Sequence, residues 1–164
     1  MKKSLFLIAV LALVPAIMFA EIGVGATAMM TSPSLLGQPV STENLNVNQF
    51  NFGGDIRVKE GMLQVQSLIF GSTGDVSGLD MYLDAGVAFD IAILRLSAGV
   101  GPNITWNFGE TPVLQAGMNG KLGADIKLNN ISVGMSYLMA LKRNEPMSVN
   151  TATGILGVNV MFWM

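Results

Sequence analysis

The 164 residues contain no cysteine and no histidine. Without cysteine there is no disulfide, thiolate metal site, thiol nucleophile or lipidated N-terminal cysteine. Without histidine the chain lacks the commonest metal ligand and the commonest general base. Charge is also scarce. Charged residues make up 12% of the chain, against roughly 25% in an ordinary soluble domain. The formal net charge is −2, and no basic patch marks a nucleic-acid partner. Beyond the N-terminus no apolar run approaches the ~18 residues that a spanning helix needs. Yet 51% of the residues are hydrophobic. They must lie on short strands that face lipid, or in the core of a soluble barrel.

Residues 1–20 carry the tripartite pattern of a secretory signal peptide. Lys2 and Lys3 are basic, 5–14 is apolar, Pro15 breaks the run and Ala20 offers a cleavage site. The expected organisation is therefore a leader over 1–20 and one β-barrel domain over 21–164. Losing the leader leaves seven basic against eleven acidic residues.

After residue 20 the dominant signal is period-two alternation, the mark of a strand with one apolar face. It predicts strands over 21–29, 49–58, 62–70, 79–89, 94–108, 113–128, 131–141 and 154–164. The fourth is the cleanest. Leu79, Met81, Leu83, Ala85, Val87 and Phe89 share one face, and Asp80, Tyr82, Asp84, Gly86 and Ala88 the other. In the third, Leu68 and Phe70 fall on the polar face. Pro102, which has no N–H to give a ladder, asks for a bulge or a strand end within the fifth. Tight turns are expected at Lys59-Glu60-Gly61, around 90–93 and at Asn129-Asn130, a pair that tolerates positive φ. Connections alternate in length. Those over 30–48, 71–78, 109–112 and 142–153 are longer, and those after the second, fourth and sixth strands are short. Such alternation suits an up-and-down outer-membrane barrel.

Alternation does not say which face meets lipid, because a soluble ligand-binding barrel alternates as well. Two features favour lipid. The polar face is built of Gly, Ser, Asn and Gln with scattered charges, whereas a solvated surface carries many more Lys and Glu. The aromatics Phe50, Phe52, Phe89, Trp106, Phe108 and Phe162 lie toward strand ends on the apolar face, as in an interfacial girdle. The expected fold is all-β: an eight-stranded antiparallel up-and-down transmembrane β-barrel.

The leader and the mature chain together resemble the small eight-stranded outer-membrane barrels of the OmpX/OmpA-like or OmpW-like type. The resemblance is one of pattern. Its nearest approach to a motif is the last strand, where Leu156, Val158, Val160, Phe162 and Met164 alternate. In the family such a strand ends in an aromatic residue and is read by the barrel-assembly machinery. Here the last residue is Met164, and Trp163 is out of phase. No peptidoglycan-binding domain is expected after it, which matches the OmpX-like minimal form. The resemblance implies the outer membrane as location and its lipid bilayer as partner.

One inward face collects Glu21, Asp55, Arg57, Asp80, Asp84, Arg95, Lys121, Asp125 and Lys127. An eight-stranded barrel is just wide enough inside for side chains, so these charges must pair. They are expected to form an internal network that plugs the barrel; the alternative is a narrow pore or a gate. Catalysis is not expected. Barrel-type acyltransferases and proteases would need a histidine-bearing set. Asp80 and Asp84, on either side of Tyr82, have no nucleophile or base beside them. Gly23/Gly25 and Gly99/Gly101 sit within strands with no helix following, which fails the context of a nucleotide loop. The methionines read as flexible apolar filler. Neither metal nor cofactor is implied. Loops 30–48 and 142–153 are candidate contacts for a surface ligand. The functional expectation is a non-enzymatic structural or surface-interaction barrel. The alternatives are a small channel for polar solutes or small hydrophobic compounds, and a secreted soluble ligand-binding barrel.

Overall fold

Residues 20–33, 50–72, 78–108, 113–142 and 148–164 are described in the computed structural model. They form eight strands: β1 (Glu21–Pro33), β2 (Phe50–Glu60), β3 (Leu63–Ser72), β4 (Gly78–Ile91), β5 (Leu94–Asn107), β6 (Val113–Leu128), β7 (Ile131–Lys142) and β8 (Ser148–Trp163). Each pairs antiparallel with its neighbours, and β1 pairs with β8 to close the barrel. Closure matters because an open edge would leave a row of backbone N–H and C=O groups without partners.

The alternation sets which way each side chain points. Outward residues are exposed and apolar: Leu63, Leu114 and Phe52 are each about two-thirds exposed, and Val65, Leu83, Val100, Leu122 and Val160 follow suit. Inward residues are buried and largely polar. The aromatics divide between the two rims on the outer face. Phe52, Trp106 and Phe108 lie toward the end with the longer connections, and Phe89 and Phe162 toward the other. Trp106 and Phe108 touch, with ring centroids 5.1 Å apart. Residues 109–112 lie outside the described residues.

The short turns carry the only positive φ angles among the described residues: Gly61 (56°), Ala92 (54°) and Asn129 (59°). Ala92 is the costly one, because an L-residue with a Cβ is disfavoured there. The turn carbonyls then extend the ladder. Met62, Ile93 and Asn130 accept from the backbone N–H of Ala88, Lys127 and Trp163 at 2.7–2.8 Å.

Several boundaries differ from the expectation. β1 continues to Pro33 because it goes on pairing with β8 as far as Pro33↔Thr153, and β8 begins at Ser148 because it pairs there with Lys142 of β7. A polar strand end stays in the sheet while its backbone finds partners. The expected long connections shrink accordingly, and 34–49, 73–77 and 143–147 lie outside the described residues, as does the expected leader up to residue 19. The first turn is Gly61-Met62, because Lys59 and Glu60 still pair with β3. Pro102 causes neither a bulge nor a strand end. Its ladder with β6 is continuous. The ladder with β4 lapses between Tyr82↔Asn103 and Ala85↔Val100 and resumes in the same register. Gly101 accommodates this close approach, since a Cβ there would run into the Leu83 carbonyl oxygen. The register shifts elsewhere, between Met139 and Leu141 of β7 against β8.

Candidate functional site in the barrel interior

The inward residues stack in three tiers along the barrel. The first lies at the end with the short turns. Arg95, fully buried on β5, donates from Nε to Asp90 at 2.5 Å and from Nη2 to Glu21 at 2.6 Å. Lys127 reaches Glu21 at 3.2 Å, and Lys59 reaches Asp90 at 3.1 Å. Beneath them lies Trp163, with its ring centroid 4.2 Å from the Arg95 guanidinium carbon. Its indole Nε1 donates to Ser132 Oγ at 2.8 Å. A guanidinium over an indole face is a favourable cation–π arrangement.

The second tier centres on Arg57 of β2, 1% exposed. Its Nε and Nη2 donate to Asp55 Oδ2 at 3.0 and 2.7 Å, and its Nη1 donates to Asp125 Oδ2 on β6 at 2.7 Å. Gln66 holds the other oxygen of Asp55 at 2.8 Å. Asn119 donates to Asp84 Oδ1 at 2.6 Å. Lys121 is buried, and its Nζ has no hydrogen-bond partner among the described residues; Asp84 Oδ2 and Gln64 Oε1 also lack one. Lys121, Asp84 and Gln64 border a void of about 10 Å³. That is close to the space one water molecule needs.

Strand order turns two of these contacts into cross-braces. In a ring of eight, β2 stands opposite β6, and β1 opposite β5. Arg57–Asp125 and Arg95–Glu21 therefore span the lumen from wall to wall. Together the two tiers hold five cations (Arg57, Lys59, Arg95, Lys121, Lys127) and five carboxylates (Glu21, Asp55, Asp84, Asp90, Asp125). The balance holds between tiers and not within each. The first has an extra cation and the second an extra carboxylate.

The third tier, toward the long connections, is mainly apolar, with Asp80 across from Phe70. Met29, Leu68, Phe70, Tyr82 and Leu138 form a buried cluster, with Ile155 against it. The Phe70 and Tyr82 rings stack at 5.5 Å, 10° from parallel. Beside this cluster a cavity of about 230 Å³ is lined by Tyr82, Asn103, Asn119, Leu138, Ala140 and Ile155 among others.

No protein-family model matches the sequence, and no curated protein does. Solved structures do. The N-terminal barrel domain of OprF from Pseudomonas aeruginosa aligns at TM-score 0.59 and 14% identity over 88% of this chain and 97% of that one. Neisserial surface protein A aligns at 0.51 and 16% over 87% and 96%. The outer-membrane protein Ail of Yersinia pestis, in a phospholipid bilayer nanodisc, aligns at 0.50 and 13% over 87% and 98%. The fold is that of the small outer-membrane barrels. At these identities the likeness is one of fold alone.

Of the nine inward charges read from the sequence, the structure joins Asp55, Arg57 and Asp125 in one group, and Glu21, Arg95 and Lys127 in another. Asp84 and Lys121 stand beside the small void. Asp80 is apart from both groups and accepts from Thr105 at 2.5 Å. Asp80 and Asp84 are thus held by different neighbours. On the last strand Val158, Val160, Phe162 and Met164 are exposed on the outer face, with Leu156 half-buried. Sequence reasoning missed Lys59, Asp90 and Trp163. Continuing the alternation one step past Arg57, or to the end of the fourth strand, would have placed the first two inside. Trp163 is out of phase with the outer face because it belongs to the inner one.

Proposed function

We propose that this chain is an integral outer-membrane barrel, closed to solutes and without enzymatic activity, that presents its longer connections on one side of the membrane. The supporting observation is the Arg57–Asp125 brace, which crosses the lumen between two side chains that are each 1% exposed. An eight-stranded lumen has little room beyond its side chains, and here bonded charges and a packed apolar cluster occupy it. The exposed apolar belt with an aromatic rim at each end suits a bilayer on the outside. On this reading residues 1–20 direct export and are removed. Leu156, Val158, Val160, Phe162 and Met164 then present the strand that the barrel-assembly machinery reads, and the parts of the expected loops 30–48 and 142–153 that lie outside the strands meet a surface ligand.

Fractionation of cells expressing the chain tests the location. The protein should remain with outer membranes and change gel mobility on boiling. Recovery in the aqueous fraction without detergent would overturn the membrane reading in favour of a soluble barrel. One observation favours a second reading, a narrow polar channel: the unpartnered Lys121 Nζ beside a water-sized void. Proteoliposome swelling in a small polar solute separates the two readings. The closed barrel gives no swelling above protein-free vesicles, and the channel gives a rate that rises with the amount of protein.

A further inference from the structure

The outer wall of the barrel is not evenly covered. On β4, β5 and β6 the outward positions Ala85, Ala98 and Gly120 carry a methyl group or nothing, and all three line an open groove of about 420 Å³. The register brings them together. Ala85 pairs with Val100, Val100 pairs with Gly120, and Ala98 is the next outward residue beside Val100 on β5. Met139 and Leu141 of β7 make the far wall and lean over Gly120, where a Cβ would lie 3.9 Å from Met139 Cε and 3.7 Å from Leu141 Cδ2. Lys121 also borders the groove, but its ammonium is buried on the lumen side. The groove crosses β4, β5, β6 and β7, and strands at ~4.8 Å spacing make that about 14 Å. An apolar cavity of ~150 Å³ takes benzene; this one is nearly three times as large and elongated, the shape of a hydrocarbon chain.

Its surroundings choose the occupant. The groove is continuous with the exposed apolar belt through Val100 and Leu122. Lipid tails are as apolar as leucine, so covering the belt in a bilayer brings no hydrophobic gain. A groove differs from the rest of the belt in packing. Wall atoms that face a gap lose their dispersion partners, and a chain laid between them restores those contacts. A second barrel fits less well, because three small residues make a narrow floor and a stable interface buries ~1,200 Å² or more.

We infer that this groove binds one acyl chain of a membrane phospholipid, laid across β4 to β7 on Ala85, Ala98 and Gly120 and held by Met139 and Leu141. The inference rests on the outer-membrane reading and gives that reading a defined lipid site.

The test uses the full mature chain refolded in dodecyl maltoside micelles with rising amounts of dipalmitoylphosphatidylcholine. Native mass spectrometry counts the lipids that each barrel keeps. The expected result is retention that saturates at one lipid per protein. Ala98→Phe and Ala85→Phe, which fill the groove, should each lower the lipid-bound fraction at least five-fold. Ile56→Phe, exposed on the outer face of β2 across the barrel from β6, should leave it unchanged. Heat-modifiable mobility is checked first on every protein. A wild-type chain that stays soluble without detergent overturns the membrane reading, whereas a folded, heat-modifiable barrel that keeps no lipid overturns the groove alone. A broad spread of lipid counts with no preference for one also overturns it. Undiminished retention in folded A98F overturns the location, and a dimer that A98F dissociates overturns the acyl chain in favour of a second copy. The wild-type count decides the matter even if neither filled variant folds.

Discussion

The two halves of the lumen obey the same alternation and are filled in opposite ways. Toward the short turns the inward positions hold ten charges in two tiers, braced from wall to wall by arginines. Toward the long connections they hold chiefly Met29, Leu68, Phe70, Tyr82 and Leu138, with Asp80 held by Thr105 and a cavity beside them. Charges specify one geometry, because a buried ion tolerates few arrangements. Apolar side chains accept several arrangements, and packing defects between them can remain as space. On the proposed reading it is the braced half that closes the barrel.

The largest expected effect breaks the braced half. Arg57→Met leaves Asp55 and Asp125 buried without their cation, and should destabilise the barrel by about 3–5 kcal/mol in urea unfolding from lipid vesicles. The triple variant R57M with Asp55→Asn and Asp125→Asn sharpens the point: it should regain most of the loss if charge is responsible, and none if arginine's bulk is. Next comes the apolar half. Leu68→Ala, at a fully buried position, should cost about 2–4 kcal/mol in the same assay without letting ions through. A loss as small as that of an exposed alanine would mean the third tier is loosely filled. Trp163→Phe keeps an aromatic ring under Arg95 but removes the bond to Ser132. It should cost about 1–2 kcal/mol; no measurable change would reduce the tryptophan to space-filling. The smallest effect lies in the turn at Ala92. A92G relieves the left-handed backbone, and should raise stability by about 0.5 kcal/mol after glycine's larger unfolded-state entropy is counted.

Much of the architecture was legible. The eight alternating segments and the Asn129 turn follow from a period of two and from turn chemistry. Pairing was not. Arg57 and Asp125 lie 68 residues apart, and only the closed ring places their strands opposite each other. Leu68 and Phe70 teach a different lesson. On the sequence they interrupt a polar face, which looks like a flaw in the pattern. In the structure they mark the place where the lumen changes from charged to apolar. Alternation identifies a face, and the local content of that face has to be read separately. Lys59 and Asp90 were hidden for a simpler reason. Each lies close to a turn, and ending its strand too early takes the residue out of the barrel.

Single-channel recording in planar bilayers tests the central claim most directly, that cross-lumen arginine braces close this barrel. The wild-type protein should show no discrete openings, and R57A/R95A, refolded and heat-modifiable, should conduct in reproducible steps. A stable open state in the wild-type protein, or a double variant that is folded and still silent, would contradict the account.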